Sequence, residues 1–289
     1  MDNLKGMGWM TVAMLTFALA DMFIVIAARD LPPGQIVVLF GVMGAPILAG
    51  LALWRGVPLI SDVFWQRPVI VRNLAEIWGT MAVIVALSTL PFSLVSAVLQ
   101  ANPLLVTLGA AIFLGERVGW RRWLAILVGL AGVLLILRPS GDFASVTLLA
   151  VVAVLGLSAR DLCTRFVPRE IPSLQIATYG FASTIPAGLI LSMFTGGWVS
   201  VSAQNLGALA CAAAMGSAAY LAITTAMRMG DVAVVTPFRY TRLIFAFAIA
   251  MIVFGERPDL WTWIGSGVVI ATGIYTLLRE GQVRRDRAA

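Results

Sequence analysis

The residues able to do chemistry here are polar groups set inside long apolar runs, because such groups are costly in hydrocarbon and persist there only beside a partner or a polar pathway. Asp21 lies well inside an apolar stretch covering residues 7–28, with no other charge near it in sequence. It is a candidate carboxylate for a substrate ammonium or a proton, or for a structural partner on another helix. Asp161 has Arg160 beside it and Arg165 one turn on, which reads as an ion pair. Arg72 and Glu76 are four apart, share one helical face and read as a second pair. Trp78 sits about ten residues into its segment, roughly 15 Å at a helical rise of 1.5 Å per residue. That depth does not suit an interfacial anchor, and leaves packing or a site wall. Trp9, Trp120, Trp198 and Trp261 stand at segment ends and read as ordinary belt residues.

The run Pro237-Phe238-Arg239-Tyr240-Thr241-Arg242 is the most unusual stretch. Proline leaves a backbone carbonyl without its helical donor and bends the helix, exposing polar groups that a substrate can use. Arg239 and Arg242 are three apart, so either can hold a carboxylate bidentately or reach back to lipid headgroups. The matching positions in the first half of the chain are Leu99, Gln100 and Asn102, so Gln100 aligns with Tyr240. A symmetry-related polar pair suits a site where two repeats meet. Tyr220, aligned with Thr80, is a weaker member of the same candidate substrate-binding set.

Composition decides what surrounds these residues. Hydrophobic residues make up 60% of the 289, charged residues only 12%, and the mean hydropathy is +0.96. That is more apolar surface than one soluble core can bury, and it places the chain in a lipid bilayer. The net charge of +6 comes from arginines scattered between apolar runs, a topology signal rather than a nucleic-acid face. There is no histidine, and Cys163 and Cys211 have neither metal nor disulfide spacing. No phosphate-binding glycine loop is present, so an ATP-driven pump would need another subunit, and without histidine, clustered acids or a nucleophile elbow no enzyme and no cofactor are expected.

Ten apolar segments can be read, near 7–28, 35–54, 69–89, 92–114, 120–137, 144–166, 174–195, 206–227, 232–254 and 260–278. Most approach the roughly 20 residues that span a bilayer as helix. Slid along itself at one constant offset, the chain matches itself without a gap: Asp21 on Asp161, Pro32 on Pro172, Gln35-Ile36 on Gln175-Ile176, Pro46 on Pro186, Gly115-Glu116-Arg117 on Gly255-Glu256-Arg257. Residues 1–141 and 142–281 are thus two five-helix repeats, and 282–289 a basic tail. Five is odd, so the second repeat enters the membrane from the opposite face. Fifteen of the twenty positive residues fall on the side of the N-terminus and three on the other, which makes both termini cytoplasmic. Inverted repeats suit a transporter that opens alternately to the two sides. Glu116 and Glu256 precede helix starts and read as helix caps, and the pairs Ala125/Gly129 and Gly267/Ala271 as close-packing positions.

Pro103-Leu104-Leu105 leading to Phe113-Leu114-Gly115-Glu116-Arg117, with Phe254-Gly255-Glu256-Arg257 in the second half, resembles the drug/metabolite transporter superfamily, and within it the EamA-type exporters. The resemblance covers essentially the whole chain. It implies a central cavity lined by helices one, three, four, six, eight and nine, with the last helix of each half as support. It also implies export of amino acids or other small metabolites, in a branch that includes aromatic amino-acid exporters. The expectation is therefore a multi-pass protein of the cell inner membrane, monomeric, carrying a zwitterion or neutral amphiphile with little dependence on a proton gradient. Efflux of cationic or lipophilic drugs, proton-coupled through Asp21, is the alternative.

Overall fold

A computed structural model describes residues 2–115, 119–138, 144–168 and 170–288, which form helices and turns with no strand among them. The helices are α1 (Asn3–Ala27), α2 (Pro33–Trp54), α3 (Arg67–Thr89), α4 (Phe92–Leu99), α5 (Asn102–Phe113), α6 (Trp120–Leu137), α7 (Ala144–Thr164), α8 (Ser173–Ser192), α9 (Ala203–Met229), α10 (Val232–Val235), α11 (Thr241–Ile252) and α12 (Leu260–Ala288). A 3-10 turn, Thr236–Tyr240, joins α10 to α11. Among the described residues eight stretches are long and apolar enough to cross a bilayer, with α4 and α5 together forming one of them, Phe92–Phe113. The other two of the ten crossings are α7 and the run from α10 to α11. Leu90-Pro91 separates α3 from α4, since Pro91 cannot continue a helix and biases Leu90 to extended backbone. The tail read as residues 282–289 continues α12 as helix to Ala288.

The chain divides into two compact units, and neither is one of the sequence repeats. The first holds Met1–Ala18, Pro91–Thr147 and Ala219–Ala289; the second holds Leu19–Leu90 and Leu148–Ala218. Each unit draws helices from both repeats and is built on a pair of sequence-equivalent ones: α6 with α12 in the first, α2 with α8 in the second.

Glycine permits both pairings. A Cβ added at Gly41 would meet the Thr184 hydroxyl, and one added at Gly44 would meet the Phe181 ring. Thr184 is the counterpart of Gly44, and Phe181 of Gly41, so each contact is the image of the other. Along α2, Gly34, Gly41 and Gly44 face Ser192, Thr184 and Phe181, in falling order. The two helices are antiparallel. In the first unit Gly129 faces Thr272, Gly132 faces Val268 and Gly265, and Gly265 faces Ile136, again antiparallel. Two copies of one helix that run in opposite directions are what inversion of the second repeat requires. Lipid offers no hydrophobic drive between helices, so such close backbone approach, with its dispersion contacts, holds the pairs together. Of the expected packing positions, Gly129 lies in the contact, whereas a Cβ at Gly267 would meet nothing. The helical turn rotates Gly267 away and puts Gly265 and Thr272 at the seam.

The repeated Gly-Glu-Arg motif has a backbone reason. Gly115 and Gly255 both adopt φ +65°, the left-handed conformation that follows a helix end and favours glycine. Glu116 and Arg117 lie outside the described residues. Glu256 caps a helix, though not the one that follows it. Its carboxylate accepts from the backbone N–H groups of Phe92 (2.7 Å) and Ser93 (2.9 Å) and from the Ser93 hydroxyl (2.5 Å), at the N-terminus of α4. Asp259 caps α12 instead, accepting from Thr262 N at 2.9 Å, and is paired with Arg138. Three arginines counted as loop charges are buried in helices or tied there into ion pairs: Arg72, Arg122 and Arg160. Arg72 and Arg122 are buried. Twelve against three remain, and the bias keeps its direction.

Replacing Glu256 by Ala is expected to cost about 1–2 kcal/mol, the range for a lost helix cap. It should show as a lower thermal unfolding midpoint in detergent, with the Asp259→Ala change acting independently because it serves another helix.

Candidate functional site

In the first unit two crossings are broken at equivalent places. The helix beginning at Phe92 stops at Leu99 and restarts at Asn102. Its counterpart stops at Val235, passes through the 3-10 turn and restarts at Thr241. Pro103 has no N–H for the Leu99 carbonyl and Pro237 none for the Ala233 carbonyl, so each break is imposed by a proline, although the two prolines are not at equivalent positions. The breaks adjoin: the Gln100 amide donates to the Tyr240 carbonyl at 3.3 Å. Since Gln100 and Tyr240 align between the repeats, this hydrogen bond joins two images of one position.

Around it lie several of the predicted residues. Gln100 and Tyr240 are 6% and 4% exposed. Among the described residues the Tyr240 hydroxyl has no hydrogen-bond partner, and its ring rests on Gly273 of α12. Arg239 and Arg242 are half-buried, and the Arg242 guanidinium stacks over the Phe17 ring with its carbon 5.4 Å from the centroid. Tyr220 on α9 belongs to the same unit and is half-buried. Sequence reasoning missed Ser96 and Thr236, which also align between the repeats. Both are buried, one turn before Gln100 and Tyr240, and neither hydroxyl has a hydrogen-bond partner among the described residues. The repeat alignment, read for hydroxyls as well as for charges, contains that signal.

Asp21 and Trp78 belong to the second unit. Asp21 is buried. Trp78 is 61% exposed, beside the point where α3 and α7 cross backbone to backbone at Gly79 and Gly156. One turn from that crossing is an ionic knot. Arg72 holds Glu76 at 2.5 Å, Arg160 holds Glu76 at 3.1 Å and Asp161 at 2.8 Å, and the Thr80 hydroxyl donates to Glu76 at 3.1 Å. Both pairs expected from sequence are present, and the link between them, Arg160 to Glu76, ties α7 to α3. Arg72 also donates to Asn73 at 3.0 Å and to the Ile176 carbonyl of α8 at 3.3 Å. Gly180 makes room for its guanidinium, which a Cβ there would strike. Two arginines against two carboxylates leave the knot neutral. Every carboxylate oxygen of Glu76 is occupied, which fits a fastener better than a ligand site. Among the described residues no group of His, Cys, Asp and Glu is placed to hold a metal ion.

The EamA-like transporter family matches this chain twice, over residues 4–138 and 144–279. The chain belongs to that family. Its two matched segments correspond to the two copies that the internal self-match reveals. The S-adenosylmethionine uptake transporter of Rickettsia conorii is 24% identical over 281 residues, covering 96% of this chain and 94% of its own length. The riboflavin transporter of Rhizobium johnstonii is 27% identical, over 77% of this chain and 72% of its own. The pseudopaline exporter CntI of Pseudomonas aeruginosa is 25% identical, over 96% and 98%. A solved crystal structure shares the fold, with a TM-score of 0.65 at 20% identity, covering 94% of this chain and 96% of that one. The protein is therefore a multi-pass membrane transporter of small molecules. None of these three relatives is named for an aromatic amino acid, and both uptake and export occur among them.

Removing one partner of the knot should be damaging, because it strands buried charge: Glu76→Gln or Arg160→Gln is expected to cost about 3–5 kcal/mol. The double change should cost clearly less than the sum of the two, measured as folded yield and unfolding midpoint in detergent.

Proposed function

We propose that this protein is a secondary transporter that exports amino acids or related small metabolites by alternating access, with aromatic and neutral amino acids as the substrate class. The observation that carries the reading is the pair of broken helices meeting at Gln100 and Tyr240. Helices interrupted at corresponding places of two inverted repeats are the usual construction of a transporter site, since the interruption offers unpaired backbone groups at membrane depth. Buried hydroxyls at Ser96, Thr236 and Tyr240, without partners among the described residues, add hydrogen-bonding capacity that costs stability while unused. Arg239 and Arg242 on the same turn supply positive charge for a carboxylate. An amino acid brings both charges together, and burying them as a pair is less costly than burying one. The name of the Rickettsia relative supports this class, because S-adenosylmethionine is itself a substituted amino acid.

Asp21 and Trp78 stay in this reading on sequence grounds, Asp21 for an ammonium and Trp78 for an apolar side chain. The cell inner membrane, with both termini cytoplasmic, is the location that the charge bias supports. A second reading, efflux of cationic or lipophilic drugs coupled to protons, rests on the burial of Asp21 in α1.

Flux of radiolabelled amino acids in proteoliposomes distinguishes them. An aromatic or neutral amino acid is expected to emerge unaltered, with less than a twofold response to an imposed pH gradient. Gln100→Ala should lower flux roughly tenfold, the equivalent of about 1.4 kcal/mol, without loss of folded protein, while Trp120→Ala leaves it unchanged. A several-fold rise with a pH gradient that disappears in Asp21→Asn would favour proton-coupled export.

A further inference from the structure

Tyr240 is central to the proposed site, yet its ring is not presented to a ligand in this structure. It is 4% exposed, and its hydroxyl, without a hydrogen-bond partner among the described residues, lies against the backbone of α12 at Gly273. The absence of a side chain at 273 is what admits it. A Cβ there would fall on the tyrosine hydroxyl and the ring carbon that bears it. The counterpart of Gly273 in the first repeat is Val133, so this recess exists in one half only. The residue matching Tyr240 there is Gln100.

The withdrawn ring is held weakly at its tip and firmly at its base. Its hydroxyl gains no hydrogen bond in the recess, whereas the Tyr240 carbonyl is fixed by Gln100 at 3.3 Å. A buried hydroxyl without a partner is destabilising, so another rotamer that reaches water or a substrate can compete with the withdrawn one. The backbone on which the ring turns sits in a 3-10 turn rather than in a helix, where side-chain rotamers are more restricted.

We infer that Gly273 determines substrate size in this transporter: by receiving the Tyr240 ring it clears space at the helix breaks for a bulky side chain, and the ring returns to close on a small one. This rests on the proposed site at Gln100 and Tyr240. It gives α12, the last helix of its repeat, a part in selectivity beyond support. Gly273 touches no substrate; it is a positioning residue acting through Tyr240.

The test compares the parent protein with Gly273→Ala, Tyr240→Ala and the double variant, using tryptophan and alanine flux in proteoliposomes. Gly273→Ala is expected to lower tryptophan flux at least tenfold and alanine flux less than threefold, and to have no further effect in the Tyr240→Ala background. Equal loss for both amino acids, or an equal loss with Tyr240 absent, overturns the inference. Unfolding midpoints in detergent decide the same point without a substrate: Gly273→Ala should lower the midpoint in the parent but not in Tyr240→Ala, and equal lowering in both again overturns it. If the parent carries neither amino acid, the proposed substrate class fails, while the unfolding measurements still decide whether Gly273 acts through Tyr240.

Discussion

The close antiparallel approach of sequence-equivalent helices is the contact on which both units rest. In hydrocarbon there is little to gain from burying one apolar side chain against another instead of against lipid, so association depends on how closely two backbones can come. Gly41 and Gly44 on α2, and Gly129, Gly132 and Gly265 on α6 and α12, allow that approach. Because the pairs are images of each other, one surface serves twice, and a single ancestral packing face is enough to build each unit. The same symmetry brings the fourth crossing against the ninth, so that their interruptions meet at Gln100 and Tyr240.

Two kinds of intramembrane polarity then divide the work. The knot of Arg72, Glu76, Arg160 and Asp161 is neutral, has both Glu76 oxygens engaged and is placed at a helix crossing. Paired in this way, four charges can stay in a membrane and act as a fixed tie among α3, α7 and α8. The helix breaks have the opposite character. Their hydroxyls at Ser96, Thr236 and Tyr240 have no partner among the described residues, and their carbonyls have lost donors to Pro103 and Pro237. Hydrogen-bonding capacity left unused in a low-dielectric setting is destabilising, and its persistence at symmetric places is the physical argument for a site there.

Much of the fold is legible in the sequence because membrane depth, charge bias and the constant offset between the repeats are long-range patterns that survive local ambiguity. All ten crossings lie within a few residues of the apolar segments, including the boundary at Leu90-Pro91. What was not legible depends on which distant elements touch. Glu256 looks like a cap for the helix after it and instead caps α4, because chain order does not say which helix start lies nearest. Gly267 fits a small-residue spacing but faces away from α6. The break at Gln100 was hidden because Pro103 falls just inside the restarted helix, a position where proline is ordinary. The pairing of Arg160 with Glu76 and the recess at Gly273 join residues far apart in the chain, which no spacing rule reaches.

Inversion of the repeats carries everything above, and labelling equivalent loop positions from the two sides of the membrane tests it most directly. Ser61 and Val201 are counterparts in the two repeats, each in the loop after its repeat's second crossing. With Cys163 and Cys211 changed to serine, a single cysteine placed at either position would be exposed to a membrane-impermeant maleimide in right-side-out vesicles. Labelling of Val201→Cys in sealed vesicles, and of Ser61→Cys only after permeabilisation, is the predicted result. Labelling of both positions from the same side would contradict it.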